Sequence, residues 1–254
     1  LTDARRGAAL VTGGGQRIGR EIALTLAKAG FDLAVHHRKS ADKAESVAAE
    51  VRALGRRAVT VKADLMHEYE VRGLVGQAVE ALGPVAVLVN NASVFEDDRV
   101  GALSRESWDA HLNTNLRAPI VLAEAFAAQA PDGSAIVNLL DQRVLKPDPR
   151  FFSYAVSRNG LWWATRTLAQ ALAPRIRVNG VGPGPTLPSI HQSDEQFKAE
   201  WAEVPLQRPG SPEAVARTVA WLVDAELVTG QMIAVDGGQH LAWRTPDITV
   251  PENL

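Results

Sequence analysis

The chain has no cysteine in its 254 residues, which excludes disulfides, thiolate catalysis and cysteine-ligated metal sites together. It has little net charge, −2 with histidine neutral, so neither nucleic acid nor an anionic membrane gains an electrostatic hold. Long apolar runs are missing. No stretch approaches a membrane span, and Arg5 and Arg6 lead into no apolar segment of signal-peptide length. A cytoplasmic location is the default expectation. The six histidines fall into no metal-ligand spacing, and neither an internal repeat nor a low-complexity linker interrupts the chain. What remains is an ordinary balance of 46% hydrophobic and 22% charged residues, at a length that suits one large α/β domain with a single core.

The most informative stretch is Thr12-Gly13-Gly14-Gly15-Gln16-Arg17-Ile18-Gly19. It follows the apolar run Ala8–Val11 and leads into an apolar-periodic segment beginning near Arg20, which reads as strand, glycine turn, helix. Such a turn lets backbone N–H groups and a helix N-terminus approach a pyrophosphate. Arg17 stands where a dinucleotide turn usually carries its middle glycine. It either places a guanidinium beside the phosphates and the substrate mouth or is a neutral substitution.

Further strands are expected at Phe31–Val35, Ala58–Val61, Val85–Val89, Ala135–Leu140, Arg177–Val181 and Met232–Val235. Helices are expected at Ala41–Leu54, Val71–Leu82, Trp108–Gln129 with a kink at Pro119, and Ser153–Leu172. This alternation predicts a Rossmann-type, doubly wound parallel sheet of seven strands with helices on both faces. The proline-punctuated stretch Gly182–Gln207 reads as a substrate lid, taken as about 184–207. Leu187, Ile190 and Trp201 lie on it, as lid contacts or as plain loop packing.

In such a sheet ligands bind outside the carboxyl ends of the strands, and the polar clusters fall there. The second strand ends in His36-His37-Arg38-Lys39-Ser40 with no acid until Asp42. An NAD site usually has Asp or Glu there for the ribose 2′-OH, whereas His37, Arg38 and Ser40 suit the 2′-phosphate of NADP. The alternative is a solvated basic strand end. Asp64 and Leu65 suit an adenine edge and face, or Asp64 caps the next helix. Asn90-Asn91-Ala92 is either a cofactor contact or a structural turn. Tyr154 and Arg158, at i and i+4, share a helix face, and a phenol needs a nearby cation to exchange protons near neutrality. Asp141 at the end of the fifth strand is within reach of the same cleft.

In sequence order, the glycine turn, Asp64, Asn90-Asn91-Ala92, Asn115, Tyr154, Pro183-Gly184 and Val235-Asp236-Gly237-Gly238 resemble the short-chain dehydrogenase/reductase family over essentially the whole chain. Arg17 in the turn, Ser93-Val94-Phe95 continuing Asn90-Asn91-Ala92, and Asp141 where the family has a catalytic serine resemble the pteridine reductases and related dihydromonapterin reductases. The resemblance implies an NADP-dependent reductase of a pteridine. Gly13, Arg17, Ile18, Asn91, Ala92, Ser93, Pro183, Gly184 and Thr186 would line the cofactor, with Thr186 on the nicotinamide carboxamide. Phe95 would stack a pterin, Ser93 would bond its edge or a phosphate, and Arg17 would face pterin and pyrophosphate together. Asp141 and Tyr154 would organise proton delivery, and Asn115 would support a water. Arg158 replaces the family lysine. It keeps charge and donors but releases no proton, which leaves open a reductase of another carbonyl or imine, or a non-catalytic NADP-binding protein. The resemblance also implies a homo-oligomer, tetramer or dimer, with Trp162 or Trp163 at an interface or in the core.

Overall fold

In the computed structural model, residues 6–188 and 192–243 are described. The sheet has seven strands: β1 (Ala8–Val11), β2 (Asp32–His37), β3 (Ala58–Lys62), β4 (Val85–Asn90), β5 (Ser134–Leu139), β6 (Ile176–Pro183) and β7 (Met232–Val235). All are parallel, in the order β3-β2-β1-β4-β5-β6-β7. The order reverses between β1 and β4, so their carboxyl ends open the crevice in which this architecture binds ligands.

Strands buried on both faces read as continuous apolar runs, and side-chain alternation divides them between two cores. Ala9, Val11, Val35, Val89 and Val137 face helices α1 (Arg17–Lys28), α2 (Ala41–Ala53) and α8 (Pro212–Asp224). Leu10, Leu88, Ile136 and Val178 face α3 (Glu68–Leu82), α5 (Ala118–Ala127) and α6 (Phe152–Leu172). Leu10, Leu88 and Ile136 are wholly buried, each worth about 1.5–3 kcal/mol over exposure. No helix among the described residues is long and apolar enough to cross a membrane.

Two elements depart from the sequence reading. The helix expected over Trp108–Gln129 is broken into α4 (Arg105–Leu112), a π-helical turn Asn113–Arg117, and α5. Pro119 has no N–H to offer the carbonyl four residues back, at Asn115, and the extra residue of the π turn absorbs that loss. Helix α8 is additional to the helices expected from the sequence; Ser211 caps it by accepting from Ala214 N at 3.1 Å and Pro212 occupies its first turn. Within the 184–207 stretch lies α7 (Asp194–Ala202), opened by a reciprocal Ser193/Gln196 capping box.

Candidate active site

The glycine turn is held by side chains from three strand ends. Thr12 Oγ1 accepts from the backbone N–H of Asn91 at 2.9 Å and of Ala92 at 3.0 Å. The Asn91 amide returns the bond, donating to Thr12 O at 2.9 Å and Gly13 O at 3.2 Å. Asn90 donates to Asn138 Oδ1 across β4 and β5 at 2.8 Å. These amides do tie neighbouring strands together. Gly19 is obligatory: a Cβ there would lie 2.2 Å from Gly13 O and 2.5 Å from Asn91 Nδ2. Arg17 has φ +52°, the left-handed region that favours glycine. The arginine thus keeps the backbone of the glycine it replaces, at a cost of roughly 1–2 kcal/mol, and its guanidinium reaches Pro188 O at 3.0 Å.

His36 is central to this turn, a role the sequence reading did not give it. Its Nδ1 accepts from Gly13 N at 3.0 Å, while Nε2 lies 3.0 Å from Ala63 O. Both contacts can be made only by the neutral ring with its proton on Nε2. Burial pushes its pKa down to about 4, the Ala63 bond only partly opposing it.

A cavity of about 440 Å³ lies beside the turn, lined by Gly13, Ile18, His37, Arg38, Ser40, Asp64, Leu65, Ala92 and Ser93 among others. His37 Nδ1 is buried there without a partner. Arg38 is 4.0 Å from Asp64 Oδ2. Asp64 is not a helix cap: its Oδ1 accepts from Met66 N at 3.0 Å and closes a turn, while α3 begins only at Glu68, after the N-cap His67.

This cavity adjoins a cleft of about 1090 Å³, and Arg17, Ile18, Asn91 and Ser93 line both. Phe95, Asp141, Tyr154, Arg158, Pro183, Gly184, Thr186 and Leu187 meet in the cleft. Tyr154 Oη donates to Asp141 Oδ2 at 2.8 Å. Burial first, then the Asp141 charge, push the phenol well above its ordinary pKa, and Arg158 opposes them without prevailing. The sequence reading has Arg158 and a bound nicotinamide ring together supplying the charge that stabilises the phenolate. In the free protein the phenol is fully protonated, because desolvation outweighs that one cation. Arg158 is buried, with its guanidinium carbon 5.2 Å from the Tyr154 ring centroid and Nη1 donating to Leu139 O at 2.8 Å.

Other candidate side chains are bonded within the free protein. Asn115 spends its amide on the loop: Oδ1 accepts from Val94 N at 2.8 Å, and Nδ2 donates to Val94 O at 2.9 Å and Ser157 Oγ at 3.2 Å. Ser93 Oγ donates to Val94 O at 3.0 Å, and Thr186 Oγ1 to Gly184 O at 3.0 Å. Phe95 is already stacked on Phe151, with centroids 4.3 Å apart and planes at 16°. A ligand ring must take the opposite face of Phe95 or displace Phe151. Trp162 is half-buried and Trp163 is exposed, both near the Arg166 guanidinium. Trp201 on α7 is half-buried. Ile190 lies outside the described residues.

Three contributors escaped the sequence reading. Arg143 reaches Asp141 Oδ2 at 3.3 Å and lies 3.8 Å from Asp148; a cation two residues after the acid was the available signal. Phe151 enters the cleft with φ +55°, a conformation no local signal predicts for phenylalanine. Asp98 accepts from Ser153 N at 2.9 Å and Ser107 Oγ at 2.6 Å, satisfying the first turn of α6 from another loop. Burial alone would raise its pKa, but those bonds hold the carboxyl below its ordinary value.

Comparison with known proteins bears on this arrangement. A family model described as enoyl-(acyl carrier protein) reductase matches residues 13–240. A 3-oxoacyl-[acyl-carrier-protein] reductase, FabG, of Staphylococcus epidermidis is 34% identical over 240 residues, 92% of this chain and 98% of the relative. The crystal structure of FolM alternative dihydrofolate reductase 1 from Brucella canis, complexed with NADP, superposes with a TM-score of 0.93 at 48% identity, covering 98% of this chain and 100% of that one. The Brucella suis protein of the same description, also with NADP, gives a TM-score of 0.92 at 50% identity over 96% of this chain and 99% of its own.

Proposed function

The chain belongs to the short-chain dehydrogenase/reductase family, and from that premise we propose that it is an NADPH-dependent reductase of a dihydropterin or dihydrofolate-like pteridine. The observation that carries the reading is the Tyr154–Asp141 hydrogen bond of 2.8 Å on the wall of a cleft that also holds Arg17, Ser93 and Phe95. The solved FolM structures, described as alternative dihydrofolate reductases, support it.

The residues present fit NADP as the cofactor. A Cβ on Gly13 or Gly19 would fill the turn, and the orphaned His37 Nδ1 lies with Arg38 and Ser40 where a 2′-phosphate needs donors. Gly13, Arg17, Ile18, Asn91, Ala92 and Ser93 would hold the pyrophosphate side, Asp64 and Leu65 the adenine, and Pro183, Gly184 and Thr186 the nicotinamide end. Bound NADPH would supply the hydride.

Tyr154 is the proposed proton donor to the reduced ring, kept protonated by its burial. As that proton leaves, a phenolate forms beside the Asp141 carboxylate, and two adjacent anions on buried side chains are costly. Two arginines offset them, Arg158 beneath the phenol ring and Arg143 on the carboxylate. Arg158 in this reading contributes charge and no proton, so its replacement of lysine is compatible with turnover. Asn115 acts by fixing the Val94 backbone between Ser93 and Phe95. The 184–207 stretch, with Leu187 and Trp201, is proposed as the lid. The exposed Trp163 supports a homo-oligomer, dimer or tetramer.

NADPH oxidation with dihydrobiopterin, dihydromonapterin and dihydrofolate tests the proposal, and the absence of both turnover and binding for all three would reject it. The FabG relatives favour a second reading, reduction of a 3-oxoacyl or other carbonyl substrate. Turnover of such a ketone that survives Phe95→Ala would select it.

A further inference from the structure

Six side-chain atoms are buried without a hydrogen-bond partner among the described residues, and four belong to residues that line the two cavities: His37, Gln142, Arg143 and Arg158. Buried orphans are scarce in folded proteins, and their gathering at cavities points to ligands that complete them. Arg143 and Arg158 belong to the acid–arginine array described above, and His37 lies with Arg38 and Ser40 in the cofactor cavity. Gln142 has no such employment.

It opens a short 3-10 turn directly after Asp141. Its carbonyl is settled, accepting from Leu145 N at 2.9 Å and Lys146 N at 3.2 Å. The residue is only 5% exposed, it lines the large cleft, and its Oε1 has no partner. A carboxamide offers a donor and an acceptor in one plane, which matches a cyclic amide edge or an amino-substituted ring nitrogen. Asp141 beside it is acceptor-only when ionised. An acyl chain with an isolated ketone has no N–H and would leave the glutamine amide half-satisfied.

We infer that Gln142 is a specificity-determining residue that reads the amide edge of a heterocyclic substrate. This rests on the pteridine reading and names the feature of the ligand that the site selects.

The test uses the NADP+-loaded protein and dihydrobiopterin as probe. Gln142→Met keeps the length and removes the polar group; Gln142→Glu keeps the shape and removes the NH2 donor. Without pteridine, the Met variant should melt a few degrees higher, because it sheds an unsatisfied buried amide. Both variants should bind dihydrobiopterin about tenfold or more weakly, with NADP+ affinity unchanged. A lower melting temperature for Gln142→Met would mean that the amide is bonded within the free protein, and would overturn the inference. Equal pteridine affinity in wild type and both variants would overturn it too while leaving the proposed function standing. Binding by none of the three proteins would overturn the proposed function itself, and this inference with it.

Discussion

Acidification should weaken the protein through His36, and the size of the effect follows from its geometry. The ring accepts from Gly13 N at Nδ1 and bonds Ala63 O through Nε2, both at 3.0 Å. A second proton would have to go on Nδ1, against the Gly13 donor. Burial holds the folded pKa at about 4, against 6.5 for the free side chain. Because the folded value lies below the unfolded one, the unfolded chain takes up the proton first as pH falls. The stabilisation is therefore complete above 6.5 and drains away between 6.5 and 4. At about 1.4 kcal/mol per unit, roughly 3 kcal/mol is lost across that window. His36→Phe keeps a planar ring without either bond or charge, so its stability lacks this term while every other titrating group still contributes. Urea unfolding of both proteins above, within and below the window gives the difference. The wild-type advantage should shrink by about 3 kcal/mol on acidification. A difference that stays constant, or widens as pH falls, would refute the reasoning.

Tyr154→Phe should lower the reduction rate by roughly 10²–10⁴-fold and leave NADPH affinity nearly intact; rate and cofactor titrations on one preparation separate the two. Gly19→Ala drives a Cβ to 2.2 Å from Gly13 O in a backbone contact with no flexible partner, so NADPH binding should be lost, as read by fluorescence titration. Arg38→Leu removes a cation from the small cavity and should weaken NADPH about tenfold or more relative to NADH, one charge-assisted contact being worth about 1.5–3 kcal/mol. Equal weakening of both cofactors would place Arg38 away from the 2′-phosphate.

Much of this fold was legible because its signals are local. The turn at Thr12–Gly19, the apolar runs of β1 to β7, and glycines such as Gly30 and Gly55 after α1 and α2 need only a few neighbouring residues to read. Helix α8 carries equally local signals in Ser211, Pro212 and the spacing of Val215, Val219 and Leu222. The π turn at Asn113–Arg117 was half visible in Pro119, which announces a break without its form. Arg17, Ser93, Asp141, Tyr154 and Arg158 are legible as strand-end and helix-start polar residues and Phe95 only through the family resemblance, and all six line the cleft.

By itself the sequence determined that this is a parallel, doubly wound sheet with a glycine-turn nucleotide crevice, because periodicity and turn chemistry act over a few residues. Tertiary structure decided how the site is charged and which groups are free. Phe151 occupies a face of Phe95, Asn115 is spent on Val94, and His36 props the turn from the next strand. Tyr154 keeps its proton because burial outweighs the charge of Arg158. Desolvation and hydrogen-bond partnership depend on what distant segments bring within a few ångströms, and no local pattern encodes that distance.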